Sequence, residues 1–63
     1  MRVWVGKRVA TPLGPARVAA VHNGREEVKG HGKPVRTLPY AVVDLAKGGR
    51  RIYLVRELAD LDS

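Results

Sequence analysis

The side chains best equipped for chemistry in this chain are cationic, and they fall in three groups. Lys7, Arg8 and Arg17 stand near the N-terminus. Arg25, Lys29, Lys33 and Arg36 occupy a polar central stretch with His31 in its middle. Lys47, Arg50, Arg51 and Arg56 follow. Guanidinium and ammonium groups hold phosphates by charge-assisted hydrogen bonds, and nearby glycines let a backbone approach closely. A solvated surface accounts for any one group, whereas three together point to an anionic partner. Among them Arg17, Lys29, Lys33, Arg50 and Arg51 are the expected phosphate contacts. Tyr53, flanked by Arg51 and Val55 in alternation, is the expected base-stacking ring. Trp4 and Tyr40 complete the aromatic set, and in a chain without Phe both are expected to fill the core.

Enzyme chemistry finds little footing. Glu26 and Glu27 are the acids nearest His22, with no spacing that defines a dyad, and Ser63 is the only serine. Gly30-His31-Gly32 opens like a dinucleotide fingerprint, but Val35 stands where the third glycine belongs, and no P-loop occurs. With no Cys there is no thiol nucleophile and no thiolate metal site. A non-enzymatic protein without cofactor or metal is expected. His31, between two glycines, could add a phosphate contact when protonated below about pH 6.5.

The 63 residues limit the chain to one domain, taken as 1–63. A domain of this size buries only about 60% of the surface its unfolded chain exposes, and no disulfide compensates. Twelve Lys and Arg against six Asp and Glu leave a net charge of +6. Residues 1–56 hold every basic residue and three of the acids; Glu57, Asp60 and Asp62 leave 57–63 acidic. No apolar run approaches the roughly 20 residues that span a bilayer, and the first eight residues lack the apolar segment of a signal peptide. With the absence of Cys, this favours a soluble cytoplasmic protein that meets no membrane.

The elements that must position these groups are strands. Seven Gly and four Pro interrupt the chain too often for a helix of any length. Val3–Thr11 reads as a first strand interrupted at Gly6, and Thr11-Pro12-Leu13-Gly14-Pro15 as a turn. Ala16–His22 is a second strand with Ala16, Val18 and Ala20 on one face, ended by the turn dipeptide Asn23-Gly24. Residues 23–37 form a polar stretch long for a loop, in which Arg25–Lys29 can extend the second strand around Val28 and Lys29–Lys33 reads as the tip. Leu38–Leu45 is apolar in both alternating sets, so it is expected to be central and buried on both faces. Ala46-Lys47-Gly48-Gly49 turns into Arg50–Val55, with Ile52 and Leu54 inward and Arg51 and Tyr53 outward. Val55–Leu58 contains one 3-10 turn, and Leu58–Leu61 a short last strand. The fold class is all-β, a small five-stranded antiparallel barrel whose closure removes exposed edges.

The run Gly6-Lys7-Arg8-Val9, then Leu13-Gly14-Pro15-Ala16-Arg17-Val18, resembles the opening hairpin of SH3-like barrels of the KOW and Tudor type. Tyr40-Ala41-Val42-Val43-Asp44-Leu45, Gly48-Gly49, Arg50-Arg51-Ile52-Tyr53-Leu54 and Glu57-Leu58 resemble the closing half. A narrower likeness, through Val28-Lys29-Gly30 and the two Tyr-bearing strands, is to the RNA-polymerase-interacting domain of CarD-like transcription regulators. The resemblance implies an SH3-like barrel linked to transcription or nucleic-acid metabolism.

The leading expectation is a module that binds DNA or RNA through phosphates. If about five phosphates are neutralised on duplex DNA, log K should fall with log salt at a slope near −4 to −5. The alternative is an adaptor that binds RNA polymerase or another acidic protein. A core this thin could also be extended by dimerisation, and the sequence leaves the oligomeric state open.

Overall fold

A computed structural model describes residues 1–24, 26–28, 34–36 and 38–61, the two short central stretches as strand backbone. The protein is all-β. Its strands are β1 (Arg8–Thr11), β2 (Gly14–His22), β3 (Glu26–Val28), β4 (Pro34–Arg36), β5 (Tyr40–Leu45), β6 (Arg50–Leu54) and β7 (Ala59–Asp60). A single 3-10 turn, Val55–Glu57, separates β6 from β7. Five strands make one antiparallel sheet in the order β6-β5-β2-β1-β7, a meander whose last strand returns to pair with its first. The ladder ends at β6 and β7. The 3-10 turn joins these two edges, and Leu58 drops from it into the core.

The core is small and rich in β-branched residues, which suit a pleated surface. Val9, Ala16, Val18, Ala41, Val43, Leu45 and Leu58 are buried, with Val3, Val21 and Tyr53 packed at the rim. Burial of Val9, Val18 and Val43, the largest fully enclosed side chains among the described residues, stabilises by roughly 1.5–3 kcal/mol each.

The turns follow glycine chemistry. The Trp4 carbonyl accepts from the Lys7 N–H at 3.1 Å, closing a four-residue turn with Gly6 third at φ 93°. A type II turn demands positive φ at that position, so Gly6 marks a bend, and β1 begins after it at Arg8 rather than at Val3. Gly48 and Gly49, at φ 106° and 99°, turn β5 into β6 as the sequence leads one to expect.

Three sequence expectations are corrected by the backbone. First, β2 ends at His22, where Asn23-Gly24 signals, but the stretch expected as a long loop contains two strands, β3 and β4. The offset that pairs His22 with Tyr40 also pairs Glu26 with Arg36 and Val28 with Pro34. The β3–β4 ribbon is therefore the same hairpin resumed in register after a break, in a molecule measuring 44 × 23 × 18 Å. The expected tip at Lys29–Lys33 lies outside the described residues.

Second, a bulge between Val18 and Ala20 shifts the register of β2 against β5. Ala19 is the extra residue. Past it Val21 takes the inward side and Ala20 the outward side, because a one-residue slip exchanges the faces of a strand.

Third, β6 presents the opposite face from the one alternation suggested. Tyr53 packs against the core rim, while Ile52 is 66% exposed. β5 is an interior strand, but only Ala41, Val43 and Leu45 are buried; Tyr40 and Val42 are half-buried on an uncovered face.

Candidate nucleic-acid interface

The uncovered face of the sheet is built from alternate residues of four strands. Arg8 of β1 lies directly opposite Arg17 of β2, Arg17 opposite Asp44 of β5, and Asp44 opposite Arg50 of β6. Four charged positions therefore form one row across the sheet, about 14 Å long at the usual strand spacing. All four are exposed. A depression of about 250 Å³ beside the row is lined by Arg8, Pro15, Ala16, Arg17, Asp44 and Ala46. Lys47 is exposed in the turn at the same end of the face.

Within the row Asp44 is committed to one neighbour. Arg50 donates from Nε to Asp44 Oδ1 at 2.8 Å and from Nη2 to Oδ2 at 3.3 Å. This fork holds the Asp44 carboxyl below its ordinary value through the hydrogen bond, and raises Arg50 for the same reason. The row carries three guanidiniums against one carboxylate, so it remains cationic.

In the next two rows along the same face the chemistry changes. Ala20, Val42 and Ile52 stand opposite one another, followed by His22, Tyr40 and Leu54. The His22 and Tyr40 rings stack across the strands, with centroids 4.6 Å apart and planes 13° from parallel. Leu38, Tyr40, Ile52, Leu54 and Glu57 line a depression of about 460 Å³. Glu57 borders it and accepts the Leu54 N–H at 2.8 Å, capping the 3-10 turn.

The sequence-predicted contacts are divided by this geometry. Arg17 and Arg50 share the row. Arg51 is exposed but belongs to the alternate side of β6, with Tyr53. Tyr53 is half-buried against the core, not displayed as a stacking ring. Lys29 and Lys33 lie outside the described residues, as do Arg25 and His31. Arg56 is exposed in the 3-10 turn, at the far end from the row.

The aromatic assignments change places. Trp4, expected in the core, is 56% exposed, and Tyr40 lies on the uncovered face. Lys7 is the group that sequence reading misplaced most: it is only 6% exposed, with Nζ 4.2 Å from the Trp4 ring centroid and 3.3 Å from Asp60 Oδ1. The missing signal was parity. Val9 must face inward, so Lys7 two residues earlier faces inward too, and Arg8 outward.

Among the described residues, no helix is long and apolar enough to cross a membrane, and no group of three or more His, Cys, Asp or Glu could hold a metal ion. Comparison of the chain with protein families, curated proteins and solved structures finds no match in any of the three.

Proposed function

We propose that the protein is a non-enzymatic nucleic-acid-binding module that contacts phosphates through the Arg8–Arg17–Arg50 row. The observation that carries this reading is the shared row itself: three guanidiniums from three strands, side by side on an open face. Guanidinium forks match phosphate oxygens, and a regular row suits a polyanion with repeating charges. A place in the cytoplasm and a link to transcription or nucleic-acid metabolism belong to the same reading. The Cys-free composition and the likeness to KOW, Tudor and CarD-like barrels motivate them. The test is fluorescence anisotropy with labelled DNA and RNA. Replacing Arg8 and Arg17 together by Glu should abolish binding while the thermal transition stays intact. Unchanged affinity, or a response flat in salt from about 50 to 300 mM, would count against the reading.

A second reading, an adaptor for RNA polymerase or another acidic protein, is favoured by β6. That strand ends the sheet ladder, and an edge strand can accept a partner strand. Pull-down of a purified acidic partner that survives nuclease treatment, and that Arg8→Glu with Arg17→Glu does not weaken, would support it over the first.

A further inference from the structure

We infer that the open face selects single-stranded nucleic acid, with phosphates along the arginine row and bases laid over the apolar rows beside it. The inference rests on the nucleic-acid reading above and adds the substrate class. The face has two chemistries in fixed order. Arg8, Arg17 and Arg50 form one row; Val42 with Ile52, and then Tyr40 with Leu54, form the next two. Alternate residues of a strand are about 6.6–7 Å apart, so the three rows lie within about 14 Å.

A duplex presents phosphates on its outside and keeps its bases stacked within, so it would satisfy the arginines and leave the apolar rows in water. A single strand presents both chemistries. Its unstacked bases can cover Ile52, which is 66% exposed, together with Leu54 and the stacked His22–Tyr40 pair. The depression lined by Leu38, Tyr40, Ile52, Leu54 and Glu57 gives those bases a place to sit.

Charge sets the orientation. Glu57 borders the apolar depression, and its carboxylate disfavours a phosphate there. The arginines lie at the other end of the face. A strand bound the opposite way round would place phosphate beside Glu57 and bases against the guanidiniums of the row. The apolar depression therefore takes bases.

The experiment measures anisotropy with labelled oligothymidine and oligouridine about 12 nucleotides long, within the roughly 4–16 nucleotides that small barrels cover, and with a duplex of equal length. We expect the single strands to bind about tenfold or more tightly than the duplex. About two to three neutralised phosphates give a single-strand salt slope near −1.5 to −2. Ile52→Ser, and separately Tyr40→Ala, should weaken single-strand binding about fivefold or more while leaving duplex binding and the salt slope unchanged. Thermal melts of each variant establish that it is folded.

Duplex binding equal to or tighter than single-strand binding overturns this inference and leaves the phosphate-binding reading standing. Absence of binding to all three probes overturns both. Single-strand binding indifferent to Ile52→Ser and to Tyr40→Ala, in folded variants, also overturns the inference. So does sedimentation showing a dimer that Ile52→Ser converts to monomer, because a second copy would then cover the apolar rows.

Discussion

Lys7 and Asp60 form an ion pair, Nζ to Oδ1 at 3.3 Å, that joins the start of the chain to its last strand. β7 pairs with β1 at only two positions, Val9 with Asp60 and Ala10 with Ala59. Lys7 is buried, and its ammonium sits over the exposed Trp4 ring while it reaches the carboxylate. A basic residue that looks like part of a nucleic-acid surface is thus a structural clip. Lys7→Ala should destabilise by about 1–2 kcal/mol, from a charge-assisted hydrogen bond and lost packing of the stem. Lys7→Met, which keeps the stem, should cost less. Urea denaturation of both variants checks the order, and nucleic-acid affinity should change little in either.

Asp44 is the one acid in the arginine row, and Arg50 holds its carboxyl below the ordinary range. Asp44→Asn releases Arg50 and removes a negative charge from the row. We expect affinity for nucleic acid to rise about threefold to tenfold, with a steeper salt dependence. The pair also has a pH signature. A carboxyl whose folded value is depressed adds stability that is present above its unfolded value and fades as pH falls through the folded one. The Asp44 contribution is therefore complete at neutral pH and lost below about pH 4. Chemical denaturation from neutral to acid pH should show a shallower decline in Asp44→Asn than in the wild type.

Arg50 and Arg51 are adjacent in sequence but belong to opposite sides of β6. Arg17→Glu should reduce binding at least tenfold, because the substitution falls in the row. Arg51→Glu should reduce it by less than about threefold at physiological salt, where charges beyond roughly 8 Å are screened. Equal losses from the two substitutions would show that net charge matters and the row does not.

Gly6, at φ 93°, has open space where a Cβ would stand, so Gly6→Ala tests backbone conformation without a clash. We expect a loss of about 1–2 kcal/mol by thermal or urea unfolding, since positive φ is strained for an L side chain. The same turn sets the Trp4–Lys7 stack, so quenching of Trp4 fluorescence by added iodide should increase in the variant.

Much of the fold was written locally. Glycine and proline at 12–15 and 46–49 place two turns, because positive φ or a fixed φ is a property of the residue and needs no neighbours. Strict alternation groups Ala16 with Val18, and Ala41 with Val43 and Leu45, on shared faces, and these are residues of the core. The 3-10 turn before the last strand and the all-β class follow from the same short-range signals.

Other features needed the chain's path in space. Asn23-Gly24 ends β2 as its local preference dictates, but the resumption of the ladder beyond it, at Glu26 opposite Arg36, depends on cross-strand pairing. The bulge at Ala19 reverses which residues of β2 point inward, and alternation cannot register an inserted residue without its partner strand. β5 is apolar on both sides, so alternation offered two faces without saying which is covered, and on β6 it pointed to the face that is left open. Leu58, returning from the 3-10 turn, lies in the core on one side, with Tyr53 at its rim, and Tyr40, Val42 and Ile52 are left on the other. By itself the sequence determined a small, cationic, strand-built domain. The tertiary structure decided which cations share a row and which apolar residues lie beside it, because facing depends on register and covering, and both are set by contacts distant in sequence.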